Sequence, residues 1–237
     1  MELRKLARRT AAALITFATI GASAIASAGT LYPTGYLYPP AEQFGLATGG
    51  TSNGSPHAGA FVGTFDELPL DGLPGDPIVF FCVELNQYFS FGGSYEYMES
   101  QPDNETFTRL GRLFTSSFGL INNPQSSAAF QLAVWEIYFD TDLSLTNAAG
   151  FHVVNNYGHA ATVTMAQGWL DNLANSPDTY DVFLLTNSRH QNFVHGTPVL
   201  LPDPPPELPE PASVALAAIA LLAMFAMLRR RAARARR

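Results

Sequence analysis

The chain has 237 residues, 47% of them hydrophobic and 12% aromatic, with 14% charged residues and one cysteine. That composition excludes an intrinsically disordered acidic chain and a disulfide scaffold. Of its 13 basic residues, only Arg109, Arg112 and Arg189 fall within 29–208, against 18 of the 20 acidic residues, a net of −15 that leaves no basic surface for nucleic acid.

Residues 1–9 are basic, 10–22 are uncharged and rich in Ala, Ile and Leu, and Ala26-Ser27-Ala28 supplies small residues where a signal peptidase reads. The pattern predicts a secretory signal over 1–28, cut before Gly29. The body, 29–200, is expected to form one extracytoplasmic domain. Its first stretch, 29–56, is rich in Gly, Pro, Tyr and Ser and is expected to be irregular. Residues 57–65 alternate small and large side chains and predict a strand. Residues 77–85 (PIVFFCVEL) are a continuous apolar run after a Gly-Asp-Pro turn and predict a buried strand. Residues 88–98 predict a strand pair, or one strand bent at Gly92-Gly93.

Residues 105–114 predict a short helix that Asn104 or Asp103 can cap. The strongest helix is 124–139, with Asn123 as N-cap and Pro124 at the first helical position. A second long helix, 160–174, ends at Asn175-Ser176-Pro177. Closing strands follow at 180–186 and 191–200, joined by an Asn-Ser-Arg-His turn. Strands, then helices, then strands predict an α+β fold: a mostly antiparallel β body with two or three helices packed on it.

The C-terminus divides into three parts. Residues 201–211 form a proline-rich, extended spacer. Residues 212–228 contain Ser213 as their single polar side chain and predict a transmembrane helix of roughly 25 Å. Residues 229–237 hold six arginines that would keep this end on the cytoplasmic side.

Pro209-Glu210-Pro211, the apolar helix and the arginine tail together resemble the PEP-CTERM sorting signal of Gram-negative bacteria. The resemblance implies that signal peptidase and an exosortase process the chain. It also implies an inner-membrane-anchored precursor, then delivery to the envelope, the outer surface or the extracellular polysaccharide matrix.

The constellation with chemical potential is Cys82 with Gln131. On a helix over 124–139, Ala128, Leu132, Trp135 and Phe139 share one stripe, and Gln131 lies within it. A buried amide there needs both of its ends bonded. Cys82 sits in the middle of the most apolar strand. A cysteine thiolate that meets a glutamine carbonyl in a dry, preorganised pair can expel ammonia and leave an internal thioester.

Phe81-Cys82-Val83-Glu84 and Gln131-Leu132-Ala133-Val134-Trp135 resemble the paired elements of the thioester domains of bacterial surface adhesins. The resemblance runs loosely from about residue 78 to 200. That family commonly carries Thr before its Gln, where this chain has Phe130. The resemblance implies that Cys82 and Gln131 are the bond partners, that Glu84 and Trp135 shape the site, and that an amine-bearing surface or matrix partner is captured covalently. The function expected is therefore non-enzymatic. The alternative is an inert structural component of the matrix, with Cys82 a buried small hydrophobe and Gln131 a satisfied core amide.

Other chemistries find less support in the residues. No cofactor is implied. His57, His152, His159, His190 and His195 show no ligand spacing, so no metal site is assigned. Asp66, Glu67, Asp71 and Asp76 lack an EF-hand spacing and read as an acidic solvated face. A Cys82–His protease would need an exposed, activated sulfur. Glu84 and Glu136 as glycosidase carboxylates are not placed by any pattern. The aromatic segment 88–97 reads as sheet packing rather than a sugar platform.

Overall fold

The structure, a computed structural model, describes residues 27–66 and 75–199. The expected signal segment (1–26 of it), residues 67–74 with Glu67 and Asp71, and the whole C-terminal address including Pro209, Glu210, Pro211 and the apolar stretch 212–228 lie outside the described residues. Among the described residues no helix is long and apolar enough to cross a membrane.

Six strands close into an antiparallel barrel: β1 (Ser27–Tyr36), β6 (Phe61–Asp66), β7 (Asp76–Cys82), β11 (Phe193–Pro198), β10 (Tyr180–Thr186) and β8 (Tyr95–Ser100), in that spatial order. Closure leaves no free edge in this sheet. Alternation along β6 buries Phe61, Gly63 and Phe65 and leaves Val62, Thr64 and Asp66 half-buried, so one face of each strand fills the barrel. Phe61, Phe80, Tyr97 and Phe193 meet there, with Phe80 and Phe193 ring centroids 4.9 Å apart.

The opposite face of β7 carries Phe81, which packs on Phe130 and Phe114 at 4.5 and 5.8 Å between centroids. Those rings belong to α2 (Pro124–Phe139) and α1 (Glu105–Ser117). A third helix, α3 (Ala160–Asp171), packs on α2. The α+β expectation therefore holds: a mostly antiparallel β body with three helices against it.

Helix α2 runs over the residues its signals predict. Asn123 Oδ1 accepts from the Ser126 N–H at 2.9 Å, Ser126 Oγ accepts back from the Asn123 N–H at 3.2 Å, and Pro124 takes the first position, where its missing N–H costs nothing. Every residue from Ser126 to Ile137 is buried, so the helix is enclosed all round and not on one stripe alone. Asn104 caps α1, accepting from the Phe107 N–H at 3.2 Å.

Several boundaries differ from expectation. The stretch 29–56 is not irregular. It supplies β1 and the short strands β2 (Glu42–Gln43), β3 (Gly45–Thr48) and β4 (Thr51–Ser52). Pro33 is accommodated because the register shifts between Pro33 and Gly35, a bulge where a missing N–H breaks no ladder. The run 57–65 splits into β5 (His57–Ala58) and β6, because Gly59 and Ala60 leave the ladder to meet α2. Of 88–98, only the part from Tyr95 on is a strand. Gly92 adopts φ +77° in a turn, and its N–H donates to Pro33 O at 2.9 Å. A further strand, β9 (Phe151–Asn155), pairs with β3 and had no alternating signal.

Candidate functional site

Strand β7 ends at Cys82, with the Val83 N–H donating to Asn192 O at 3.1 Å. Peptide groups alternate sides along a strand, so Phe81 and Val83 face β11 while Phe80 and Cys82 face β6. Strand β6 begins at Phe61, opposite Phe80, and does not reach Cys82. The next rung is filled by a side chain. The Cys82 N–H donates to Gln131 Oε1 at 2.9 Å, and Gln131 Nε2 donates to Cys82 O at 2.9 Å. The carboxamide thus stands where a peptide unit of β6 would stand, joined at both ends to one residue. One helical turn earlier, Ser127 Oγ accepts from the Ala60 N–H at 2.7 Å, where the chain turns away from β6.

Both Cys82 and Gln131 are buried, at 3% and 0% exposure. The structure brings together all four residues expected at this site. Cys82, Glu84 and Trp135 line one cavity of about 350 Å³, and Gln131 bonds to the Cys82 backbone beside it. Trp135 lies one turn beyond Gln131 on α2. Tyr36, Phe61 and Phe89 contribute an aromatic wall. Two residues that line the cavity keep a buried polar atom without a partner: the Trp135 Nε1–H donor and the Gln87 Oε1 acceptor.

Glu84 is fixed by Asn192, whose Nδ2 donates to Oε1 at 2.8 Å and whose N–H donates to Oε2 at 3.1 Å. Gln191 Nε2 also donates to Glu84 O at 2.7 Å. Burial first, and then the Glu84 charge, push the Cys82 thiol well above its ordinary range, so the sulfur carries its proton. The same burial raises the hydroxyls of Tyr36 and Tyr97.

The carboxylates that Glu136 meets are Asp140 and Asp142, at the end of α2, and burial pushes its carboxyl up to about 8. Of the histidines, His195 is buried and touches Glu99, with Nε2 and Oε1 2.6 Å apart. The aromatic segment divides by position: Tyr97 is buried, Phe89 is half-buried and Tyr88 is 81% exposed. Sequence reasoning missed Gln87, Asn192 and Ser127: Asn192 and Ser127 act through partners distant along the chain, and Gln87 enters only as cavity lining, so no local pattern marks them.

No family model, no curated protein and no solved structure matches this chain.

Proposed function

We propose that this chain is an exported, exosortase-sorted surface or matrix protein whose body forms a thioester between Cys82 and Gln131 and couples covalently to an amine-bearing partner. The observation that carries the reading is the Gln131 carboxamide held at both ends by the backbone of Cys82. The Gln131 amide fixed in this way has already lost its rotational freedom next to the residue that carries the sulfur, which is part of what an intramolecular acyl transfer requires.

The step balances without a co-reactant. A bond forms between Cys82 Sγ and Gln131 Cδ, the Cδ–Nε2 bond breaks, and the thiol proton leaves with the amide nitrogen as ammonia. The Cys82 N–H already donates to Oε1, so it is in place for the negative charge that gathers on that oxygen. The nucleophile is the thiolate, so the raised thiol has to give up its proton as the bond forms, and that proton leaves with the departing nitrogen. An incoming primary amine then attacks Cδ, forms an amide with the Gln131 side chain and returns Cys82 as a thiol. The cavity beside Cys82 provides the approach, and residues 29–200 contain no lysine side chain to compete with an external amine.

Intact-mass spectrometry of the mature protein tests the reading. The expected result is a chain lighter than its encoded mass by one ammonia, with Cys82 resistant to alkylation after denaturation. A full encoded mass with Cys82 alkylated on denaturation would overturn it.

The alternative, an inert matrix component, draws on the same amide. Gln131 is already satisfied by hydrogen bonds alone, as a structural glutamine would be. It predicts the unreacted mass and no change in attachment for Cys82→Ala.

A further inference from the structure

The loop that follows α2 gathers three carboxylates. Glu136, Asp140 and Asp142 each place one oxygen within 4.8 Å of the others. Glu136 is completely buried. Its Oε1 accepts from the Ser144 N–H at 2.8 Å, while its Oε2 is enclosed and no N–H or hydroxyl donates to it; Asp142 is the side chain within hydrogen-bonding reach of this carboxyl, so a proton shared between the two acids is the alternative to a cation. A buried carboxylate oxygen without a donor is costly to maintain, and its surroundings here are two further acids.

Among the described residues, no salt bridge reaches these three carboxylates. The donors at the cluster are neutral: backbone N–H groups and Asn147 Nδ2, which bonds Asp142 Oδ2. The Ser144 N–H is shared between Glu136 Oε1 and Asp142 Oδ1, at 2.8 and 2.9 Å, which sets those carboxylates side by side. Arg109 bonds Glu105 by Nε at 3.0 Å and, by Nη1 at 3.1 Å, the Thr141 carbonyl between Asp140 and Asp142, so its charge borders the cluster without forming a salt bridge to any of the three carboxylates. The cluster also sits at the C-terminal end of α2, the negative end of the helix dipole, and the last turn holds no basic residue. Helix end and acids therefore repel one another unless a cation joins them.

We propose that Glu136, Asp140 and Asp142 bind a calcium ion. The donor set is all oxygen, with no histidine or cysteine, which selects a hard cation over zinc or copper. Calcium accepts an irregular set of carboxylates and completes its shell with water, whereas magnesium holds its own octahedral waters more tightly. The carboxylates are preset for the ion. Asp140 Oδ1 accepts from the Thr141 N–H at 2.6 Å, and Asp140 Oδ2 accepts from the Phe151 N–H at 2.9 Å. Gly150 lies so close that a Cβ there would overlap Asp140 Oδ2. The ion would clamp the end of α2 to the start of β9, and so steady the helix that carries Gln131. The inference stands apart from the thioester reading and does not depend on it.

Calorimetric titration of calcium chloride into the full-length chain, stripped with a chelator and held in mild detergent, tests the proposal, together with thermal unfolding in calcium and in chelator. The expected result is saturable binding of one ion and a melting temperature several degrees higher in calcium. Asp142→Asn, at an exposed position, should fold normally in chelator and lose most of the calcium-dependent shift. Glu136→Gln should lose it as well. Absence of binding heat and of any shift in the wild-type chain would overturn the proposal, as would an Asp142→Asn variant that responds like wild type. An equal shift from magnesium at the same concentration would overturn the assignment to calcium. A calcium-insensitive wild type stabilised by Glu136→Gln would mean that the carboxylates share a proton instead.

Discussion

Asn192 holds Glu84 at two points, its Nδ2 2.8 Å from Oε1 and its backbone N–H 3.1 Å from Oε2. Through this clasp the segment leaving β7 is tied to the start of β11, immediately after Cys82. Glu84 thereby becomes a fixed negative charge beside the buried sulfur. Glu84→Gln keeps an acceptor for Asn192 but removes the charge that, after burial, raises the thiol. In a Gln131→Ala background, where the sulfur has no acyl partner, thiolate absorbance should titrate at lower pH when Glu84→Gln is added. An unchanged titration would show that the carboxylate does not reach the sulfur.

Gln131→Leu should be far more damaging than loss of the sulfur. It leaves the Cys82 N–H and C=O without partners in the core, at about 1–3 kcal/mol for each group. Cys82→Ala removes a small apolar group and should cost about 1 kcal/mol. Denaturant midpoints of the two variants make the comparison. Equal costs would mean that the amide is not completing the ladder.

Ser127→Ala removes the acceptor of the Ala60 N–H and should destabilise by about 1–3 kcal/mol, read as a lower urea midpoint. If Gln131 relies on the same divergence of β6 from β7, then Ser127→Ala and Gln131→Leu should be non-additive. Simple additivity in a double-mutant cycle would argue that the two contacts are independent.

Asn123→Ala opens the capping box of α2 and should cost about 1 kcal/mol. Because the cap lies two turns from Gln131, the variant should leave the mass of the mature protein unchanged. A mass change in this variant would place the helix start within the chemistry.

The site was partly legible before the fold. The pairing of Cys82 with Gln131 was suggested by two short elements and a stripe of side chains on one helix. The manner of the contact was not. A glutamine side chain replacing a strand rung depends on where β6 stops, and β6 stops because Gly59 and Ala60 turn toward Ser127. Glu136 was noticed only as a possible partner of Glu84. Its neighbours Asp140 and Asp142 follow it at four and six residues, past the helix end, where no regular period links them.

Local chemistry alone determined where α2 starts, because Asn123, Pro124 and Ser126 act on one another within four residues of chain. It also marked the enclosed end of β7, residues 80–82, although Pro77 is exposed, Ile78 and Val79 are half-buried, and the strand stops at Cys82, short of the expected 85. The tertiary structure alone decided that the Gly- and Pro-rich segment after residue 29 is a barrel strand. Its stabilisation comes from β6 and β8, tens of residues away, and outweighs its own weak preference. Barrel closure and the amide rung opposite Cys82 share that origin: each is set by groups distant in sequence whose free energy is released only once the strands have closed.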